Sequence, residues 1–250
     1  MTRYKLILEY DGSPFVGWQR QDNGPSVQAA LEEAVFGFCG EHTTVQGAGR
    51  TDTGVHATGQ VAHVDIEKRV EVSTVAKALN AHLRPAPIAV LSAEPVDDDF
   101  HARFSAQGRR YLYRILCRPA PPAVERGQVW WVPQQLDPAA LQAGADRLLG
   151  RHDFTSFRAS QCQAASPEKT LDELRIETRD RGAGGLEIEI HAAARSFLHH
   201  QVRNMVGTLK FVGQGRWSAD DVTRALEARD RRAAGPTAPA EGLYLTRVVY

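Results

Sequence analysis

Apolar and polar residues exchange places along this chain with two distinct periods. In YKLILEY (residues 4–10) they alternate, which reads as a strand that ends at the turn pair Asp11-Gly12. After Ser26 the spacing widens to that of a helix, VQAALEEAVFGF, with Ser26 placed to cap it and Gly37 and Gly40 placed to stop it. A short strand (43–47), the polar loop GAGRTDTG (47–54), a strand GQVAHVDI (59–66), a helix STVAKALNAHL (73–83) and a strand IAVLSAEPV (88–96) follow. Beyond FHARFSAQG a comparable order returns: strand RRYLYRILC (109–117), a helix opened by Asp137-Pro138, strands TLDELRIET (170–178) and LEIEIHAAA (186–194), helix SFLHHQVRNMVGTLKFVG (196–213), a short helix after Ser218 and a last strand GLYLTRVVY (242–250). The pattern predicts an α+β chain of two similar halves, residues 1–105 and 106–250. The Pro-rich stretch RPAPPAVERG (118–127) and the tract AAGPTAPAEG (233–242) read as loops.

With 250 residues the chain is long enough to bury a substantial core. No apolar run approaches the roughly 18 to 20 residues of a membrane span, and MTRYKLILEYDG lacks a signal-peptide core, so a cytoplasmic protein is expected. Three cysteines without CxxC spacing suggest neither a disulfide framework nor a zinc site. Thirty basic and 30 acidic residues cancel, which excludes a uniformly basic binding module. The balance hides an asymmetry: residues 1–100 carry 8 basic and 14 acidic side chains, residues 101–250 carry 22 and 16. Within residues 101–126 six arginines face the single acid Glu125, and residues 195–216 hold Arg195, Arg203, Lys210 and Arg216 with no acid. Of the 30 basic residues 25 are arginine, whose forked donors suit phosphates and carboxylates.

Three segments could carry chemistry. GAGRTDTGVH begins as a dinucleotide loop does, but Asp52 stands where the third glycine belongs and would repel a pyrophosphate. What remains is a glycine-rich loop with Arg50 and Asp52; an ordinary turn with a surface ion pair accounts for it as well. RFSAQGRRYLYR interleaves aromatics with arginines, as single-stranded nucleic-acid surfaces do, and as a half-buried strand also can. In the 196–213 helix, Leu198, Val202, Met205, Val206, Leu209 and Val212 form a core stripe, and Ser196, His199, Arg203, Gly207 and Lys210 gather opposite it as a basic face. Arg203 one turn after His199 argues against a metal site there. Gly207 inside a helix implies a close neighbour.

Taken together, GRTDTGVHATGQ, RFSAQGRRYLYRI, GRHDFTSF, SPEKTL, FLHHQVRNMVG and APAEGLYLTRV resemble, in order and spacing and along nearly the whole chain, the tRNA pseudouridine synthases of the TruA type. Thr53 departs from the alanine many members carry there. The resemblance implies a pseudouridine synthase fold: two RRM-like, ferredoxin-like halves forming a continuous, mostly antiparallel sheet with helices on one side. It also implies isomerisation of uridine to pseudouridine at positions 38, 39 and 40 of the tRNA anticodon stem-loop, without cofactor or metal, by a homodimer that binds tRNA. By the same resemblance Asp52 is the essential aspartate, Arg203 its ion-pair partner, Arg50 the residue that holds the target nucleotide out of its stack, and Tyr111 the tyrosine against the uracil. Leu245 is expected near the pocket, and Arg109, Arg110, His199 and Lys210 at the substrate, in one positive cleft around Asp52.

Two readings from other classes stand beside this one. A non-catalytic RNA-binding protein would use the Tyr/Arg strand and the basic helix and would not need Asp52. A hydrolase would pair Asp52 with a histidine, but no nucleophile elbow or triad pattern is present.

Overall fold

The computed structural model describes all 250 residues, which form ten strands and five α-helices in two compact units. The first comprises Met1–Gln107 with Tyr244–Tyr250, the second Gly108–Leu243. The last strand therefore belongs with the first half of the sequence, whereas the periodicity assigned it to the second.

In the first unit β1 (Thr2–Tyr10) runs antiparallel to β3 (His56–Ile66) and β4 (Ile88–Val96), β2 (Gln46–Gly47) pairs with β3, and β10 (Leu243–Val249) joins β3 in parallel. Tyr4, Leu6, Leu8 and Tyr10 form the buried row of β1. Helix α1 (Val27–Cys39) starts where the Ser26 hydroxyl accepts the Ala29 N–H at 3.2 Å, and ends at Gly40, whose φ of 77° lets its N–H return to the Phe36 carbonyl. It packs on α2 (Val72–Leu83), which packs on β4. The opposite face of β3 is covered by the segment after β4: the Ala102 N–H donates to His63 Nδ1 at 3.1 Å. Burial, with the nearby His101 and Arg3, lowers the His63 pKa to about 4, so this ring is a neutral core group.

In the second unit the strand order is β5 (Gly108–Cys117), β9 (Leu186–Ala194), β8 (Glu168–Asp180), β7 (Gly150–Asp153), all antiparallel, with β6 (Trp130–Val132) parallel to β5. Helices α3 (Pro138–Asp146), α4 (Gln201–Gly213) and α5 (Ala219–Glu227) pack on one another, with α3 on β8. Asp137 caps α3 and a Ser218/Asp221 capping box opens α5. The two halves are thus both α+β, as the periodicities predict, and no helix is long and apolar enough to cross a membrane.

One helix begins later than its apolar stripe implies. His200 adopts a left-handed φ of 63°, so α4 starts at Gln201, with His199 in the turn before it and Ser196 in the irregular segment ahead of that turn. His199 therefore does not share a helical face with Arg203.

Candidate active site

The loop carrying Asp52 joins β2 to β3 and is held from both ends. On one side the Thr51 hydroxyl bonds to the buried Tyr10 hydroxyl at 2.8 Å, and the Thr51 carbonyl accepts the Trp18 N–H at 3.0 Å. On the other the Thr53 hydroxyl donates to the Val16 carbonyl, and the Val55 N–H returns to the Asp52 carbonyl at 3.1 Å. Gln60, fully buried on β3, donates to the Gly49 carbonyl at 2.8 Å. Gly17 bridges to Asp52 through the backbone. Its φ of 115° suits glycine, and a Cβ there would lie 2.6 Å from the Thr51 carbonyl oxygen, so only glycine permits this approach. The Asp52 side chain is half-buried and Arg50 beside it is exposed. Bonds from its neighbours' backbone and hydroxyls thus fix the position of Asp52 in the loop.

Tyr10 is the buried anchor of this arrangement. Burial pushes its phenol pKa up from 10.0 to about 12, against the lowering effect of Thr51 and Gln60. The folded state therefore keeps a proton that the unfolded chain releases near pH 10, so this stabilisation is complete below pH 10 and is lost as pH rises toward 12. Tyr10→Phe should cost about 1 to 2 kcal/mol at neutral pH by stranding the Thr51 hydroxyl. The difference between wild-type and variant urea midpoints should shrink through that alkaline window; a constant difference would contradict the assignment.

Where β3 begins, His56 accepts the Gly12 N–H on Nδ1 at 3.0 Å and stacks on Tyr244 with ring centroids 4.7 Å apart. The parallel register pairs Tyr244 with His56 and Leu245 with Ala57, which buries Leu245 completely in the first unit, five residues along the chain from Asp52 by way of Ala57.

In the second unit Tyr111 packs edge-on against Phe197, centroids 5.2 Å apart. Strand alternation puts Arg109 on the Tyr111 side, where it donates to the Arg195 carbonyl at 2.8 Å. Arg110 points to the other face and pairs with Glu173 at 3.3 Å, so the expected single cleft does not hold for both arginines. Arg114 shares that other face and meets Glu187 and Glu125, each at 2.6 Å, and Arg181 meets Glu125 at 2.7 Å. An acid-poor window in sequence is thus not acid-poor in space: β8 and β9 bring carboxylates across to it. On the same face Glu177, Glu189 and His191 each place a ligand atom within 4.8 Å of the others. Arg175 and Arg179 pair with the two glutamates, which fits a lattice of ion pairs better than a cation site.

On α4 the core stripe is as expected, with Val202, Met205, Val206, Leu209 and Val212 buried, but the opposite side is not open to solvent. Gly207 lies against the Pro236 carbonyl, and Arg203 donates from Nε to the Ala238 carbonyl at 2.8 Å. Lys210 sits over the Trp130 ring at 5.0 Å, a packing role that the expectation of a substrate contact did not include. His199 and His200 are neighbours in the preceding turn, with rings 4.0 Å apart. Asp52, Arg50 and Leu245 therefore belong to the first unit, and Tyr111, Arg109, Arg110, His199, Arg203 and Lys210 to the second. Sequence reasoning missed Tyr10, Gln60 and Ala238, which act through hydroxyl, amide and backbone groups that no motif marks.

A family profile described as tRNA pseudouridine synthase matches residues 6–105 and 145–250. The tRNA pseudouridine synthase A of Rhodospirillum centenum is 63% identical over 250 residues, covering 100% of both chains. That of Paramagnetospirillum magneticum is 62% identical over 250 residues, 100% of this chain and 96% of the relative. That of Rhodospirillum rubrum is 61% identical over 248 residues, 99% of this chain and 87% of the relative. With a clamped aspartate loop in one unit, an aromatic strand and a basic helix in the other, and relatives of this identity along its full length, the chain belongs to the tRNA pseudouridine synthase family.

Proposed function

We propose that this chain isomerises uridine to pseudouridine at positions 38, 39 and 40 of the tRNA anticodon stem-loop, with Asp52 as the essential carboxylate. In that reaction the bond from C1′ to N1 breaks, the uracil turns, and a bond from C1′ to C5 replaces it. C5 gives up its proton and N1 gains one, so the product is an isomer of the substrate. Asp52 meets the electron-poor centre that bond breaking creates, as carboxylates do in glycoside chemistry. Arg203 lies on a helix whose neighbours fix its guanidinium plane, and it serves as the ion-pair partner of Asp52. Arg50, exposed at the loop, holds the target nucleotide out of its stack, and Tyr111 lies against the uracil and takes the C5 proton. The enzyme acts as a homodimer in the cytoplasm, on tRNA and without a cofactor.

The observation that carries this reading is the way Thr51, Thr53 and Gly49 tie down the loop while the Asp52 side chain stays half-buried. A turn that served only as a connection would not need a buried tyrosine and a buried glutamine committed to its backbone and hydroxyls. The direct test maps pseudouridine in tRNA from cells lacking the protein. Loss confined to positions 38, 39 and 40, restored by the wild-type gene, is the expected result; an unchanged map would leave only an RNA-binding role.

A further inference from the structure

Residues 231–238 lie along α4 as a strap, and its attachments converge on two adjacent side chains. Asn204 is fully buried: its Nδ2 donates to the Phe157 carbonyl at 2.8 Å, and its Oδ1 accepts from the Thr237 hydroxyl at 2.7 Å and from Arg231 Nη2 at 3.1 Å. Arg231 also donates from Nη2 to the Thr237 hydroxyl at 3.2 Å and from Nη1 to the Gly235 carbonyl at 2.8 Å. The Gly235 N–H donates in turn to the Thr208 hydroxyl at 2.9 Å. One residue beyond Thr237, Ala238 exchanges two bonds with Arg203: its N–H donates to the Arg203 carbonyl at 3.1 Å and its carbonyl accepts Arg203 Nε at 2.8 Å.

The order of dependence is therefore short. The Ala238 carbonyl fixes the plane of the Arg203 guanidinium, and Thr237 and Asn204 fix Ala238. Arg231 ties Thr237, Asn204 and Gly235 together. Its acceptors, with the Ala234 carbonyl at 3.4 Å, are all neutral oxygens, so its fork serves geometry and not an ion pair. A lysine could keep the charge but not the simultaneous reach of two terminal nitrogens.

We propose that Arg231 is a positioning residue for the uridine isomerisation: by bracing Thr237 and Asn204 it holds the Ala238 carbonyl that fixes the guanidinium plane of Arg203. This rests on the roles given above to Asp52 and Arg203. Loosening the brace tilts Arg203, which slows the reaction.

The test compares wild type, Arg231→Lys and Thr237→Val in single-turnover reactions on C5-tritiated tRNA, with tRNA affinity and melting temperature measured in parallel. Arg231→Lys should lower the single-turnover rate by about tenfold to a hundredfold, with tRNA affinity within about twofold of wild type. Thr237→Val removes one acceptor of the Arg231 fork but leaves its bonds to Asn204 and Gly235, and should lower the rate in the same direction by less, which guards against a variant that fails to fold. A loss of tRNA affinity or of melting temperature that accounts for the lost rate, or wild-type rates in both variants, overturns the proposal. Asp52→Asn is run beside them: if it stays active the site itself is misassigned, and if it is dead while Arg231→Lys behaves as wild type, only the positioning role falls.

Discussion

Asp52→Asn should lower pseudouridine formation by on the order of 10⁴-fold or more while the protein folds and binds tRNA as before. The substitution changes one oxygen to an amide nitrogen, keeps the side-chain shape, and removes the charge that the proposed reaction uses. The structure gives the reason that the fold should tolerate it. The bonds that hold the loop use the Thr51 and Thr53 hydroxyls, the Gly49 and Thr51 carbonyls and the Asp52 backbone. The bonds that define the loop thus survive the exchange. Tritium release from C5-labelled tRNA measures the activity, and filter binding with a thermal melt measures what should stay unchanged. Turnover within about tenfold of wild type would remove Asp52 from the chemistry, since an amide cannot replace an attacking carboxylate. An equal loss of tRNA affinity would instead mark the residue as part of the binding surface.

How much of this was legible in the sequence depended on how local its cause was. Strands β4 and β9 coincide with their periodic segments, and Ser26, Asp137 and Ser218 cap the helices they precede, because alternation and capping are decided within a few residues. The start of α4 was not legible: Ser196 and His199 fit the helical spacing, and only the left-handed backbone of His200 interrupts it. Strand β6 is three residues long, too short for any period to show. Nothing local signals that β10 returns to the first unit. For the site, the glycine-rich loop drew attention to Arg50 and Asp52, but its anchor Tyr10 lies 41 residues from Thr51. The charge windows misled for the same reason, since Glu173 and Glu187 reach Arg110 and Arg114 from 63 and 73 residues away. Acid-free stretches of chain therefore describe composition, and strand pairing decides which arginines remain for a phosphate.

Gly207→Ala should be the most destabilising single-methyl addition on α4, and the reason lies outside the helix. A Cβ built on Gly207 falls 1.7 Å from the Pro236 carbonyl oxygen and 3.2 Å from the Ala238 nitrogen, both backbone atoms of the strap. Backbone cannot rotate aside as a side-chain tip can, so the strap must shift outward and strain or break the bonds from Thr208, Asn204 and Arg203 to it. Overpacking of this kind costs about 3 kcal/mol, and alanine recovers up to about 1 kcal/mol as the better helix former, for a net loss of roughly 2 kcal/mol. In a chain of this size that is a fall of about 4 to 8 °C in melting temperature. Gly144 on α3 supplies the internal comparison. There the added Cβ meets only the Leu209 and Val212 side-chain ends, at 3.0 and 3.4 Å, so Gly144→Ala should stay within about 1 kcal/mol of wild type. Because the displaced strap carries Ala238, Gly207→Ala should also slow the reaction at temperatures where it is still folded, whereas Gly144→Ala should not. Equal melting temperatures for the two variants would mean that the strap yields freely, and a strap that yields freely could not hold Arg203 in place.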